Sequence, residues 1–555
     1  MRVRSLSMWW IVSLLAAPLV FAAGDLRLAD AVQKGDKEAV GALLREHVDV
    51  NAPEADGATA LAWAVHRDDL ATVDLLIQAG ADVNKANDYG VTPLWLACRS
   101  GNAAMVEKLL NAKANPNAAL WTGETPLMTC ASTGSLEGVR LLVTHGADVN
   151  AKEGEKGQTA LMWAIANKHP DITQVLVEHG AEVRARSKVL PMPEPFTIPC
   201  TVKDPCEDGR KDGNTYAPTV HFPKTAGGFT PLLFAAQQGD IESARILLAH
   251  GADVNEATPE DGSALVVASA SGHEKLALFL LEKGANPNAK DGFGITPLHY
   301  SLHEGMLDLT SYIAKPTDRL GWLRPNMPDL VKALLAGGAD PNARIEHDFP
   351  PYDYLPVSRS NGLNLPQITL AGATPFFLAA SSGDPGLMKT LVEARANPKL
   401  VTVANTTPLM VAAGMAHERG GISFGINYGE EREQTPEEQR RRLEAVKLAY
   451  DLGADINAVN EKGWTALHAA VYMGWTDVVM FLAEKGANLN LKDKYGETPV
   501  SIALGDPEGL VFRQLGGARY DYSFRQPKVD KKMADLLVSL GAAPFTGKYR
   551  DRSGE

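Results

Sequence analysis

The sequence predicts an all-α protein in which short helical repeats stack into a solenoid. Three observations support this fold class. A Thr-Pro-Leu or Thr-Ala-Leu tripeptide returns about every 33 residues, apolar residues follow it at helical spacing, and the 555-residue chain is longer than one globular core usually serves. With 45% hydrophobic and 22% charged residues, the composition is that of a folded protein. Repeated structural units are therefore expected to account for the length of the chain.

The tripeptide marks the predicted start of the first helix in each repeat. Its Thr can accept hydrogen bonds from free backbone amides, and Pro lacks the amide that would otherwise stay unpaired. The first four copies follow one another after 33, 33 and 34 residues. The copies begin at Thr59, Thr92, Thr125, Thr159, Thr230, Ser263, Thr296, Thr374, Thr407, Thr465 and Thr498.

The rest of each repeat predicts a turn and a second helix. Val73, Leu76 and Ile77 illustrate the second helix, because this spacing gives it one apolar face. Lys113 and Arg395 replace the glycine that usually closes the second helix, so altered turns or local strain are expected there. Two thin helices cannot enclose a core, so each repeat needs its neighbours. The glycines predicted to end first helices are Gly101, Gly134, Gly239 and Gly272.

This pattern resembles the ankyrin repeat. The resemblance is carried by Thr296-Pro-Leu-His299 and by Gly-Ala-Asp-Val-Asn at 80–84, 146–150 and 251–255, and it covers nearly all of the chain apart from the inserts. It implies a helix-turn-helix and a β-hairpin loop in each repeat. About twelve repeats are expected, with an atypical first repeat that begins at Leu26. In this family the histidine of the tetrapeptide joins a hydrogen-bond network.

Five irregular inserts break the period, two between repeats and three between the helices of one repeat. Long loops of this kind are usually functional or disordered, and both alternatives stay open here. The three inserts within repeats cover about 305–328, 415–441 and 505–529. The predicted organisation is 25–184 for repeats one to five, 185–227 for an insert, 228–342 for repeats six to eight, 343–371 for an insert, 372–545 for repeats nine to twelve, and 546–555 for a disordered tail.

Residues 1–22 are expected to be a secretory signal peptide. Arg2 and Arg4 precede an apolar run from Met8 to Val20, and small residues follow, with cleavage expected after Ala22. The run is shorter than the ~20 residues of a spanning helix, although an uncleaved anchor is the alternative. The chain is therefore expected in the periplasm or outside the cell, with no membrane contact after cleavage. A bacterial source is favoured.

The four cysteines fall into two pairs. Cys200 and Cys206 lie in a proline-rich insert and are expected to close a small disulfide ring, with free or metal-binding thiols as the alternative. Cys98 and Cys130 lie in the first helices of successive repeats, whose backbones are expected to be on the order of 10 Å apart. This second pair is therefore predicted to be beyond disulfide reach and to act as small buried apolar residues.

The resemblance also implies a concave partner-binding face made of hairpin tips and the exposed side of first helices. Aromatic residues on such a face are typical interface anchors, but each could instead cover a neighbouring hairpin or an insert. The tip residues are Tyr89, Trp121, Phe229, Phe293, Trp464 and Tyr495. The helix positions are His66, Arg67, Arg99, Gln237, Gln238, His303, Tyr472 and Met473. Trp63, Trp163, Phe234 and Tyr300, four residues after the Thr or its equivalent, are predicted to pack in the core.

No motif in the sequence makes a convincing active site. His299 and His303 share a helix face, but their order is not that of a zinc motif, so neither a metal nor another cofactor is expected. The net charge of -13 argues against nucleic acid as a partner. The predicted function is a monomeric, exported, non-enzymatic scaffold that binds a protein. The alternatives are a secreted effector and an enzyme whose inserts bring together His221, His347, Asp348, His417 and Glu418.

Overall fold

A computed structural model of the chain describes residues 25–192, 223–302, 325–347, 369–415, 435–494, 496–504 and 530–546. These ranges contain 24 helices and four short strands, which confirms the predicted all-α class. The chain divides into two compact units. Unit 1 contains the described residues up to 155 together with 159–181, and unit 2 contains 156–158 and the described residues from 182 onward.

Unit 1 consists of five pairs of short helices, each pair joined by a tight turn. First helices pack on first helices and second helices on second helices. Its helices are α1 (Arg27–Lys34), α2 (Lys37–Arg45), α3 (Ala60–His66), α4 (Leu70–Gln78), α5 (Pro93–Ser100), α6 (Ala103–Asn111), α7 (Pro126–Thr133), α8 (Leu136–Thr144), α9 (Ala160–Ala166) and α10 (Pro170–Glu178).

Unit 2 has the same kind of helix pairs, with two small strand pairs in addition. Its elements are β1 (Val189–Pro191), β2 (Thr225–Gly227), α11 (Pro231–Gln238), α12 (Ile241–Ala249), β3 (Ala257–Thr258), β4 (Gly262–Ser263), α13 (Ala264–Ala270), α14 (Glu274–Glu282), α15 (Pro297–Tyr300), α16 (Pro328–Ala336), α17 (Pro375–Ser381), α18 (Pro385–Glu393), α19 (Pro408–Ala412), α20 (Pro436–Asp451), α21 (Ala466–Met473), α22 (Thr476–Glu484), α23 (Pro499–Ala503) and α24 (Lys531–Ser539).

The predicted starts and ends of the first helices are confirmed in most repeats, although Thr230 and Ser263 accept no capping hydrogen bond. Thr92 shows the pattern, since its side chain accepts a hydrogen bond from the Trp95 amide at 3.2 Å. Gly101 ends the same helix in the left-handed region, with φ 71°. Lys113 and Arg395 adopt φ 72° and 70°, so both keep the usual turn after the second helix although each carries a side chain. The departure from glycine therefore brings backbone strain and leaves the turn type unchanged.

An asparagine ladder joins successive repeats within each unit. The Asn51 side chain donates to the Gly80 carbonyl at 3.2 Å and accepts from the Asp82 amide at 2.7 Å. Asn84 makes the same two bonds one repeat later, to the Lys113 carbonyl and from the Asn115 amide. The asparagines of these loops thus satisfy backbone groups of the next repeat.

The described ends of two inserts have regular structure that the sequence did not predict in detail. β1 and β2 form an antiparallel pair with Val189 opposite Gly227, so residues predicted to be irregular form strands on either side of 193–222. In the insert predicted at about 415–441, helix α20 begins at Pro436, where Thr435 and Glu438 cap each other's backbone amides. The charged residues at 436–442 therefore belong to a regular helix.

The prediction that Cys98 and Cys130 lie beyond disulfide reach is wrong. Both are fully buried on α5 and α7, their Cα atoms are 4.6 Å apart, and their sulfur atoms lie within bonding distance. The value of about 10 Å describes helix axes, whereas facing Cα atoms each sit about 2.3 Å off their axis toward the other helix. The buried Ala97 and Ala131 beside them are small enough to allow this approach. Cys200 and Cys206 lie outside the described residues.

Candidate partner-binding surface

Two neighbouring hairpin tips of unit 1 present large aromatic side chains to solvent. Tyr89 is 60% exposed and Trp121 is 78% exposed. The Trp121 amide donates to the Tyr89 carbonyl at 3.3 Å, so the two tips are bonded to each other through their backbones. Between them lies Gly90, with φ 81°, where an added Cβ would stand 3.0 Å from the Leu120 Cα. This close approach fixes the tip backbone and leaves both rings free for contact.

The first helices of unit 1 place basic residues at their exposed ends. His66, Arg67 and Arg99 are all exposed, as predicted from the family pattern. Arg67 donates from Nη1 to the Gln33 carbonyl at 2.9 Å. The Arg99 guanidinium lies 5.4 Å from the centroid of the Trp95 ring. Each guanidinium is therefore positioned by a neutral group and keeps its charge available.

Two carboxylates of the adjoining hairpins are engaged inside unit 1. Glu54 accepts from Gln33 Nε2 at 2.5 Å and from Trp63 Nε1 at 3.0 Å. Glu124 accepts from Trp95 Nε1 at 3.2 Å and from Thr129 Oγ1 at 2.9 Å. These acids anchor hairpins to helices, so neither is bonded to the cations on the same face.

In unit 2 the predicted aromatic tips are half-buried and engaged with their own surroundings. Phe229 meets the edge of Phe234 at 5.6 Å between centroids. Trp464 donates from Nε1 to Asp493 Oδ2 at 3.0 Å and lies 5.8 Å from the ring of Tyr472. For these residues the alternative interpretation, that each tip covers a neighbour, describes the contacts better. Phe293, Gln238 and Met473 are also half-buried and Gln237 is exposed, while Tyr495 and His303 lie outside the described residues.

The four aromatic residues predicted to pack in the core are half-buried instead. Trp63 donates to Glu54 in the hairpin of its own repeat, and the Tyr300 hydroxyl donates to Asp291 in the same way at 2.5 Å. The family register could have revealed this, because Trp63 and His66 are three residues apart and share one helix face. Their rings are 5.7 Å apart. The residue four positions after the Thr therefore lies beneath the exposed side of the first helices, a role that the sequence interpretation missed. Trp163 and Phe234 are the other two of these four half-buried aromatic residues.

Unit 2 contains a buried polar network that unit 1 lacks at the same register. His299 Nδ1 accepts from the Thr296 amide at 3.2 Å, so Nε2 carries the proton and donates to the Ala343 carbonyl at 3.1 Å. This confirms the hydrogen-bonding role predicted for His299. Burial lowers the pKa of His299 to about 4 and raises the pKa of the Asp291 carboxyl to about 6.

The described residues include only one of the side chains suggested for an active site built by the inserts. Across those ranges, no three His, Cys, Asp or Glu side chains are grouped so that they could hold a metal ion. Of the insert residues suggested for an active site, His347 is half-buried and donates its amide to the Phe293 carbonyl at 3.1 Å. His221, Asp348, His417 and Glu418 lie outside the described residues. Among the described helices, none has the length and apolar character needed to span a bilayer.

Helix pairs that start at a capping Thr, stack on their neighbours and present hairpin tips define a class of protein, the tandem-repeat binding scaffold. The family model "Ankyrin repeats (3 copies)" matches residues 28–120, 116–187, 216–291 and 438–511. The matched segments together cover more than half of the sequence. The chain therefore belongs to the ankyrin-repeat family, and its repeats form a protein–protein interaction domain.

Curated relatives share the repeats and extend well beyond them. The chain is 29% identical over 297 residues to "E3 ubiquitin-protein ligase KEG" of Arabidopsis thaliana, a match over 51% of this chain and 16% of that protein. It is 29% identical over 206 residues to "Ankyrin repeat and SAM domain-containing protein 6" of Danio rerio, over 35% of this chain and 26% of that protein. It is 43% identical over 63 residues to "Probable 26S proteasome regulatory subunit p28" of Saccharomyces cerevisiae, over 11% of this chain and 28% of that protein. Each match spans less than a third of the relative.

Proposed function

We propose that this chain is an exported scaffold that binds a protein partner through the binding face of unit 1. This face comprises the two hairpin tips Tyr89 and Trp121 and the helix residues His66, Arg67 and Arg99. The observation that carries the proposal is the exposure of two large rings, 60% for Tyr89 and 78% for Trp121, on adjacent, mutually bonded tips.

Physical chemistry favours these two rings as anchors. Tyr and Trp bring large contact areas with only two rotatable side-chain bonds, so they lose little conformational entropy when a partner orders them. Their backbones are already fixed by the Trp121–Tyr89 hydrogen bond and by the Asn87 side chain, which accepts from the Tyr89 and Val91 amides at 3.0 and 2.9 Å. A preorganised aromatic pair of this kind is typical of the centre of an interface.

The export component of the proposal is supported by the amino-terminal sequence. N-terminal sequencing of the protein recovered from the extracytoplasmic fraction tests it, and a chain that begins at Ala23 or Gly24 is the expected result. Recovery of an intact amino terminus in the cytoplasmic fraction would contradict it. A secreted effector that acts on another cell would show the same cleavage. The two forms of the proposal are distinguished by the source of the captured partner, which is the producing cell for a scaffold and another cell for an effector.

The binding component is tested by affinity capture from the native extracytoplasmic fraction. Wild-type chain is compared with the double variant Tyr89→Ala/Trp121→Ala and with Leu75→Ala. Leu75 is a suitable control because it is an exposed apolar residue on the second helix α4 of the same unit. A partner kept by wild type and by the control, and lost by the double variant, is expected. Capture that does not depend on the two tips would overturn the assignment of this face.

A further inference from the structure

Four basic residues recur in register along the first three repeats of unit 1. Lys34 and Arg67 are 33 residues apart at one position of the repeat, and His66 and Arg99 are 33 apart at the preceding position. All four are exposed, and all lie at or just after the ends of α1, α3 and α5. We call these residues the basic row. In the next two repeats the same positions carry no charge, so the row has a defined length.

The basic row has no internal counter-charge. None of its four members forms an ion pair with any carboxylate in the described part of the chain. Arg67 is held by the Gln33 carbonyl and Arg99 by the ring of Trp95. Two other cations of unit 1 do form ion pairs, Lys108 with Asp74 and Lys37 with Asp69.

Contacts join the basic row to the aromatic tips. Trp95, beneath Arg99, donates to Glu124, and the Glu124 carbonyl accepts from the Leu120 amide at 2.9 Å, next to Trp121 in the same hairpin. A ligand that neutralises Arg99 is therefore close to the exposed rings. A partner segment for this face should carry both anionic groups and flat apolar residues.

Unit 2 supplies the contrast that makes the row informative. Five repeats of unit 2 have both equivalent positions within the described residues, and none carries a charged side chain there; Gln237, Ser271 and Ser382 are examples. Ankyrin architecture by itself therefore does not require cations at these positions. In a chain with net charge -13, four basic residues that recur in register and form no internal ion pair suit an anionic ligand.

The spacing of the row selects the conformation of that ligand. Packed helices of successive repeats lie about 8–10 Å apart. A polyproline II segment rises about 3.1 Å per residue and has three residues per turn, so residues i and i+3 point the same way at a spacing of about 9 Å. Aromatic rings on a surface also favour prolines in this conformation.

We infer that unit 1 binds an acidic, proline-containing segment of its protein partner in the polyproline II conformation. Carboxylates at every third residue meet Lys34, Arg67 and Arg99 in turn, and the prolines between them pack on Tyr89 and Trp121. This inference rests on the proposed function, because it names the chemistry of the partner for the same face.

The test measures fluorescence anisotropy of labelled peptides with the full chain. The probe (Glu-Pro-Pro)4 is compared with (Lys-Pro-Pro)4 and with a block peptide that has the same composition but four consecutive glutamates. Wild type is expected to bind the first peptide at least five times more tightly than the block peptide, and to leave the lysine peptide unbound. Added salt should weaken the interaction.

Variants of matched charge locate the site. Arg67→Gln/Arg99→Gln should raise the Kd for (Glu-Pro-Pro)4 about tenfold, since each exposed ion pair contributes up to about fivefold in affinity. Arg45→Gln/Arg140→Gln removes the same charge from exposed positions on α2 and α8 and should change the Kd less than twofold. Circular dichroism checks that both double variants are folded.

Three results would overturn the inference. These are no binding of (Glu-Pro-Pro)4 by wild type, equal effects of the two arginine pairs, and row-dependent binding of single-stranded oligothymidine without binding of the peptide. The proposed function fails separately, when affinity capture becomes independent of Tyr89 and Trp121. A captured partner that needs the aromatic tips but tolerates Arg67→Gln/Arg99→Gln leaves the scaffold function in place and removes this inference.

Discussion

The first-helix faces of units 1 and 2 are built on the same repeat but present different chemistry. In unit 1 the tips are exposed and the helix ends carry unpaired cations, as at Trp121 and Arg99. In unit 2 the described tips are half-buried and hydrogen-bonded within the chain, as at Trp464, and polar groups such as His299 are buried beneath them. A shared scaffold therefore tells little about which surface binds, and the bonds already made by each side chain tell more.

The difference also shows how a repeat can use its polar residues in two ways. An aromatic tip that donates to a carboxylate of its own chain, as Trp464 does to Asp493, stabilises the loop. A tip that makes only backbone bonds, as Trp121 does, keeps its ring available. Removing a residue of the first kind should cost stability, and removing one of the second kind should cost affinity.

The largest effect is expected from exchanging aromatic tips for alanine in each unit. Tyr89→Ala/Trp121→Ala should weaken partner binding by about a hundred- to a thousandfold, because each ring can act as a hot spot worth about 2 kcal/mol. Phe293→Ala/Trp464→Ala should leave the affinity within about threefold and should lower the melting temperature instead. Surface plasmon resonance and thermal unfolding of both variants measure this. The proposed difference between the units is wrong if Tyr89→Ala/Trp121→Ala lowers the melting temperature and Phe293→Ala/Trp464→Ala weakens partner binding.

Replacement of His299 should be the most costly polar change for stability. His299→Ala removes the acceptor of the Thr296 amide and the donor to the Ala343 carbonyl, both buried, and a loss of about 3 kcal/mol in unfolding free energy is expected. His145→Ala in unit 1 is the control, because His145 is exposed and should cost less than about 0.5 kcal/mol. Denaturant unfolding measures both values, and equal losses would contradict the network's importance.

A covalent link between α5 and α7 is expected to stabilise unit 1 in oxidising conditions. With a sequence separation of 32 between Cys98 and Cys130, a disulfide should add about 2–4 kcal/mol, which a reductant removes. Thermal unfolding with and without dithiothreitol measures the loss. Cys98→Ala/Cys130→Ala should remove the reductant's effect from unit 1 while leaving any effect of Cys200 and Cys206. A chain whose peptide map shows only free Cys98 and Cys130 after oxidative refolding would contradict this prediction.

The smallest expected effect is a change in the pH dependence of stability. The folded-state pKa of Asp291 is about 6, against an ordinary value of 3.8, so the folded state binds the proton more tightly and this contribution is lost as pH rises through 6. Between pH 5 and pH 7, the unfolding free energy of Asp291→Asn should therefore rise by about 1 kcal/mol relative to that of wild type. Unfolding measured at both values tests this, and an unchanged difference between the two proteins would refute it.

His299 should act in the opposite direction. Its folded-state pKa of about 4 lies below the ordinary 6.5, so the unfolded state binds the proton more tightly and stability falls as pH drops below about 6.5. His299→Gln should accordingly be less sensitive to acid than wild type. If the slope of unfolding free energy against pH changes in opposite directions in the Asp291 and His299 variants, both titrations are located in unit 2.

Most of the fold could be predicted from the sequence because its determinants are local. Thr92 caps a helix and Gly101 ends it through bonds within a few residues, and these patterns repeat in register. The approach of Cys98 to Cys130 could not be predicted in this way, because it depends on which sides of two helices face each other. The binding face was predicted only in part. Tyr89 lies three residues before Thr92, whereas Trp464 directly precedes Thr465, and at that position its Nε1 donates to the Asp493 carboxylate of the next hairpin.

The asparagine ladder of unit 2 continues across two inserts in the repeat pattern. Asn288 donates to the Gly338 carbonyl 50 residues later, and Asn342 donates to the Arg395 carbonyl 53 residues later, whereas Asn255 reaches Gly284 after 29. The same ladder bond therefore joins successive repeats at both of these inserts. For protein engineering, this makes the intervals 303–324 and 348–368 natural positions at which to graft a foreign loop or domain without resetting the stack.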